Sequence, residues 1–177
     1  MKWFGISGSW RKTNREIEEK VRLIVREIMT RGDGIVSGGA LGVDSIALDE
    51  ALKVDPGAQR IRIYLPTMLK AYAAHYQRHA VLGSITGKQA ENLVSQLEAL
   101  KKINPDALIE DPDEDFNEET KKRKYYKRNS AVVDVSDELV AFLARTKESE
   151  GGGTRDTIEK ARAKGIPVRL FEYGLND

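Results

Sequence analysis

Cysteine is absent from the 177 residues. That excludes disulfides and thiolate metal sites and fits a reducing compartment, so a cytoplasmic protein is expected. No apolar run approaches the roughly 20 residues needed to span a bilayer. The opening, MKWFGISGSW, reaches glycine and polar residues without an apolar stretch, so no signal peptide is expected. An excess of one charge is also missing: 29 Lys and Arg stand against 28 Asp and Glu, a net charge of +1. The whole-molecule field therefore gives no argument for nucleic acid or a membrane as partner. No glycine loop continues into Gly-Lys-Ser/Thr, which argues against ATP hydrolysis, and none reads Gly-x-Gly-x-x-Gly, so a standard NAD site is not indicated. Histidine occurs only at positions 75 and 79. Four residues apart, they share one face of a helix, but HYQRH lacks a metalloprotease glutamate and has no evident third ligand, so no metal is expected.

What the sequence does have is alternation of short apolar runs with amphipathic ones. Lys2 to Ser7 reads as a strand ending in glycine and serine. Thr13 or Asn14 can cap a helix whose apolar positions are Ile17, Val21, Ile24, Val25 and Ile28. Ile35–Val36 is a brief buried strand, followed by a helix from about Val43 to Lys53. Arg60 to Leu65 is a third strand, near a sheet edge. Helices are expected from Ala71 to Leu82 and Lys88 to Ile103, then an acidic loop around Glu110 to Asp115 and a charged helix to Asn129. Glu138 to Ala144 is a fourth strand, and Ile166 to Phe171 the last. This pattern predicts one α/β domain over residues 1–177, a three-layer sandwich with a Rossmann-like, mostly parallel sheet. The helical segment at about 67–129 is its least regular part. The expected order of the five strands is 3-2-1-4-5, with right-handed crossovers and the ligand outside the strand carboxyl ends.

Three glycine-rich loops follow three of these strands: Gly8-Ser9, Ser37 to Gly42 (SGGALG), and Gly151-Gly152-Gly153-Thr154. Glycine lets backbone N–H groups approach a ligand closely, and a helix N-terminus attracts an anion. The candidate phosphate-binding residues are therefore Gly8, Ser9, Arg11, Ser37, Gly38, Gly39, Ala40, Asp44, Arg128, Asn129, Gly151, Gly152, Gly153, Thr154 and Arg155. An anion is expected near the N–H groups of Gly39, Gly152, Gly153 and Thr154. Valine at Gly153 is expected to block it and to strain any left-handed turn there. Asp44 has two readings, a carboxylate favourable to the helix dipole or one that bonds a ribose or base. Arg128 and Asn129 are read either as a solvated helix end or as phosphate and ligand contacts. The run KKRKYYKR (Lys121 to Arg128) holds six basic residues and two tyrosines. Because an acidic run precedes it, it reads better as a solvated, internally paired helix than as a nucleic-acid face. Trp3, Phe4, Phe142 and Phe171 are assigned to core packing.

The stretch GIVSGGALGVDSIALDEAL resembles the Ser-Gly-Gly-Ala-x-Gly-x-Asp signature of the SLOG superfamily, which includes DNA-processing protein A (DprA, Smf) and the LOG phosphoribohydrolases. Gly8-Ser9, Arg128-Asn129 and GGGTRDTIEKARAKGIPV are similar to further parts of that pattern, in the form found in small stand-alone YspA-type members. The resemblance implies a Rossmann-like fold and binding of a nucleotide or nucleotide-derived ligand. In LOG enzymes the last glycine loop reads Pro-Gly-Gly-x-Gly-Thr-x-x-Glu. Here it is one residue shorter, and Thr157 stands where the glutamate would fall.

Three functions follow in order of preference. The first is binding of a small phosphorylated, nucleotide-type ligand by a sensor or carrier, with no certain cofactor. The second is hydrolysis of a nucleotide N-glycosidic bond, with Asp44 or Asp156 as stand-in carboxylate. The third is DprA-like binding of single-stranded DNA. A homodimer or larger assembly is expected, because the stripe of Leu93, Leu97 and Leu100 looks too apolar for a small core to cover.

Overall fold

Strand Glu138–Arg145 shows how the chain builds two cores at once. Its residues are buried from Leu139 to Ala144. Alternate side chains go to opposite sides: Val140, Phe142 and Ala144 enter the larger core, while Leu139 and Ala141 join a smaller one with Val133, Ile158 and Ala161. A strand apolar on both faces needs helices on both faces, and that requirement sets the layers.

The computed structural model describes residues 1–113, 115–145 and 152–175. In chain order the elements are β1 (Trp3–Gly8), α1 (Arg15–Thr30), β2 (Gly34–Ser37), α2 (Val43–Val54), β3 (Ile61–Leu65), α3 (Leu69–Val81), α4 (Gly87–Ile103), a 3-10 turn (Pro105–Ala107), β4 (Leu108–Glu110), α5 (Lys121–Asp134), β5 (Glu138–Arg145), α6 (Gly152–Lys164) and β6 (Val168–Gly174). The six strands form one parallel sheet in the order β4-β3-β2-β1-β5-β6. This is a Rossmann-like, three-layer arrangement, and the five strands read from the sequence fall in the order expected. The order reverses between β1 and β5, which pair from Phe4–Glu138 to Gly8–Phe142 and so open a crevice beyond their carboxyl ends.

Local chemistry explains most boundaries. Asn14 caps α1, its Oδ1 accepting the Ile17 N–H at 2.9 Å. Thr86 and Gln89 form a reciprocal capping box at α4. Gly32 ends α1 at φ +86°, a conformation that favours glycine.

Four expectations are corrected. The acidic stretch holds a sixth strand: Leu108–Glu110 pairs with β3, anchored because Glu110 accepts the Leu69 N–H and the Lys101 ammonium. The charged helix runs on to Asp134, since Val132 and Val133 are buried. The last strand begins at Val168 and continues to Gly174, held by seven paired positions on β5. The leucine stripe of α4 is not an open surface: Leu93, Leu97 and Leu100 lie in the larger core, where α3 and α4 pack together. That removes the sequence ground for expecting an assembly.

Candidate functional site

A cleft of about 520 Å³ lies at the carboxyl ends of β1, β2 and β5. At one end it is walled by Gly8, Ser9 and the first turn of α6, with Gly152, Gly153, Thr154 and Thr157. At the other it is walled by Trp10, by His75, Tyr76 and His79 of α3, and by Tyr125 and Tyr126 of α5. Helix α5 runs along the whole of it. Its cleft-lining residues, Lys121, Lys122, Tyr125, Tyr126, Arg128, Asn129 and Val132, recur at the spacing of one helical face.

The SGGALG turn is built by glycine at two positions. Gly42 stands at φ +89°, and a Cβ there would lie 2.3 Å from the Ser9 carbonyl oxygen. A Cβ on Gly38 would collide with the guanidinium of Arg128. Three N–H groups of this turn, however, are already occupied. Asp44 Oδ2 accepts those of Gly38 (3.1 Å) and Ala40 (3.2 Å), and the Tyr76 hydroxyl accepts that of Leu41 (3.1 Å). The carboxylate of Asp44 thus fills the anion position of its own loop. Burial pushes its pKa up to about 6, against the opposing effects of Arg128 and the two N–H bonds.

Arg128 crosses from α5 to this loop. Its Nη1 donates to the Gly38 carbonyl, its Nε donates to Asn129 Oδ1 at 3.1 Å, and its guanidinium lies 5.4 Å from the Tyr125 ring centre. Asn129 Nδ2 in turn donates to Asp156 Oδ2 at 2.9 Å, and Lys160 donates to the same oxygen at 2.6 Å. A chain of bonds therefore joins α6, α5, the β2–α2 loop and α2.

Of the residues singled out in the sequence, Gly8, Ser9, Arg11, Gly38, Ala40, Asp44, Arg128, Asn129, Gly152, Gly153 and Thr154 come together along the cleft. Ser37, Gly39, Arg155 and Asp156 do not line it. Ser37 is buried at the end of β2, and a Cβ on Gly39 would point at Ile63 and Leu65. Gly151 lies outside the described residues. Gly153 is in the first turn of α6, not in a left-handed turn, so the strain expected there on substitution does not arise. Among the described residues, nothing lies within 4 Å of a Cβ placed on Gly152 or Gly153.

The aromatic and imidazole wall was not read from the sequence as a ligand surface. Its signal was the helical spacing of Tyr125, Tyr126, Arg128 and Asn129, hidden by the charge around them. The pairing read for that charge is present: Lys121 meets Glu118, Lys124 meets Asp113 and Lys127 meets Asp111. Yet Lys124 is buried and the tyrosines turn to the cleft. His75 and His79 bring their Nε2 atoms to 3.2 Å, and the Tyr125 hydroxyl lies 3.3 Å from His75 Nε2. Burial, with the neighbouring His79 and Lys121, holds His75 down at about 4, so it is uncharged at neutral pH. Among the described residues no group of three or more His, Cys, Asp or Glu side chains is placed to hold a metal.

The family model for DNA recombination-mediator protein A matches residues 1–176. The chain belongs to this family. Membership agrees with the resemblance of its glycine loops to the SLOG superfamily. Solved structures related to the family chain have the same fold. DNA processing protein A of Helicobacter pylori, described with its single-stranded DNA binding mode, is 24% identical, with a TM-score of 0.65 over 99% of this chain and 67% of that one. The same protein from Streptococcus pneumoniae is 16% identical, with a TM-score of 0.58 over 96% of this chain but only 50% of that one. The molybdenum cofactor binding protein of Rippkaea orientalis is 17% identical, with a TM-score of 0.58 over 97% of this chain and 77% of the other. Among curated proteins none matches.

Proposed function

We propose that the cleft binds a nucleotide or nucleotide-derived phosphorylated ligand. Its phosphate would lie against the N–H groups of Gly152, Gly153 and Thr154 at the positive end of α6, over a floor of Gly8 and Ser9. The observation that carries this reading is the charge of the lining. Among the described residues, Arg11, Lys12, Lys121, Lys122 and Arg128 line the cleft, with one carboxylate, Asp44. That carboxylate is bound to its own loop. The second support is that no described residue comes within 4 Å of a Cβ on Gly152 or Gly153.

The same lining bears on the other two functions. Hydrolysis of a glycosidic bond calls for a proton donor and a second carboxylate or activated water. Asp156, the other candidate, is tied to Asn129 and Lys160 away from the cleft. Binding of single-stranded DNA is favoured by family membership and by the lysines on α5, and stands as the second reading.

Calorimetric titration tests both. The probes are nucleoside mono- and diphosphates and a single-stranded oligodeoxynucleotide, on the wild type and on Gly153→Val. Valine fills the approach to the α6 amides without backbone strain, so mononucleotide affinity is expected to fall about tenfold or more. Equal affinity in the two proteins would place the site elsewhere. Tight binding of the oligonucleotide without measurable binding of mononucleotides would favour the second reading.

A further inference from the structure

We infer that the Trp10–His75–His79–Tyr125 end of the cleft is the subsite for the ligand's planar heterocycle, opposite the phosphate end. This inference rests on the phosphate reading above and adds what the other half of the ligand is. The four rings form one connected cluster. Trp10 lies 5.3 Å from His79, His79 lies 4.5 Å from His75, and His75 lies 6.2 Å from Tyr125, measured between ring centres. All four line the cleft.

Helix α5 measures the distance between the two ends. At a rise of 1.5 Å per residue, Tyr125 and Asn129 are separated by about 6 Å along the axis and Lys121 and Asn129 by about 12 Å. Asn129 marks the phosphate end, where it reaches the Gly153 carbonyl, and Tyr125 marks the ring end. A nucleoside 5′-phosphate, with one sugar between phosphate and base, has the length to occupy both. Arg128 stands between them, over Tyr125 and bonded to Asn129.

The chemistry at the ring end suits a planar heterocycle, with Arg11 lying 5.1 Å from the Trp10 ring centre. A planar π-system gains from edge and face contacts with aromatic rings. The Nε2 atoms of both imidazoles are taken up within the cluster, so the rings offer a ligand their faces and edges. His75 stays neutral through the physiological range. His79 Nδ1 is buried without a hydrogen-bond partner. The cluster is therefore not a fully satisfied polar core.

The test uses the full chain and compares four probes by calorimetry: ribose 5-phosphate, adenosine, adenosine 5′-monophosphate and cytidine 5′-monophosphate. At least one nucleotide is expected to bind about tenfold or more tightly than ribose 5-phosphate. His79→Ala is expected to bring that nucleotide's affinity down to the level of ribose 5-phosphate. A second readout avoids any variant of the cleft. The chain has two tryptophans, and Trp3 lies at the opposite end of β1 against Arg62. In Trp3→Phe, the emission of Trp10 is expected to change on titration with the nucleotide and to stay constant with ribose 5-phosphate. Equal affinities for ribose 5-phosphate and both nucleotides, or nucleotide binding that leaves Trp10 emission unchanged, would overturn the ring subsite and leave the phosphate reading standing. Adenosine binding as tightly as its monophosphate would overturn the phosphate reading instead. If no probe binds, both fall.

Discussion

Asp44 and His75 line the same cleft but respond to acid in opposite directions. The Asp44 carboxyl rises to about 6 in the folded protein from an ordinary 3.8. Between those values the folded state holds the extra proton. Its contribution to stability is therefore full below about 4 and is lost as pH rises through 6, by roughly 3 kcal/mol. His75 falls to about 4 from 6.5. Its contribution is full above 6.5 and is lost as pH falls toward 4. Asp44→Asn removes the first effect and keeps the second. The variant is expected to lose more stability than the wild type between pH 7 and pH 4.5, by urea denaturation at the two values. Equal losses would contradict the burial assigned to Asp44. Gly38 offers a separate test. Alanine there forces the Arg128 guanidinium off the Gly38 carbonyl. A charge-assisted hydrogen bond contributes about 1.5–3 kcal/mol, so phosphate-ligand affinity should drop about tenfold in a titration if Arg128 must hold that position. Unchanged affinity would remove Arg128 from the binding site.

Helix α5 is the element on which the site depends, and it was the least legible. The core strands were readable because their apolar runs are continuous and both faces are covered, as at Leu139–Ala144. The glycine loops were readable because strand-to-helix turns leave few alternatives. Strand β4 was not, because Leu-Ile-Glu is too short to show a period and is placed by Glu110. The stripe of Leu93, Leu97 and Leu100 was seen but assigned outward, since sequence spacing gives a face and not the direction in which it points. In α5 the charge concealed a stripe that faces the cleft. Its attachment is testable through Lys124, whose ammonium reaches the Asp113 carboxylate at 3.1 Å and its carbonyl. Lys124→Met keeps the stem and removes the ammonium. Asp113 is half exposed and rehydrates, so a loss of about 1–2 kcal/mol is expected. Hydrogen exchange should rise at residues 108–120 and stay constant in α1. A uniform rise along the chain would contradict a local tether.

Over the whole molecule, a net charge of +1 hides a segregated field. Acidic groups are held in local pairs, such as Glu50 with Arg22, Arg26 and Lys53 between α1 and α2. Among the described residues, the lining of the cleft carries five Lys and Arg side chains and one carboxylate. A field of that kind is local, so ligand affinity is expected to weaken several-fold as salt rises from about 50 to 200 mM, through screening. No salt dependence in a titration would contradict an anionic ligand. The central claim, a phosphate held on the backbone at the start of α6, is tested most directly by nitrogen-15 amide shifts during titration with a nucleoside 5′-monophosphate. The account predicts the largest shifts at Ser9, Gly152, Gly153 and Thr154, with smaller ones at Gly38 and Ala40, whose N–H groups already serve Asp44. Large shifts at Gly38 to Leu41, with none at Gly152 to Thr154, would contradict it.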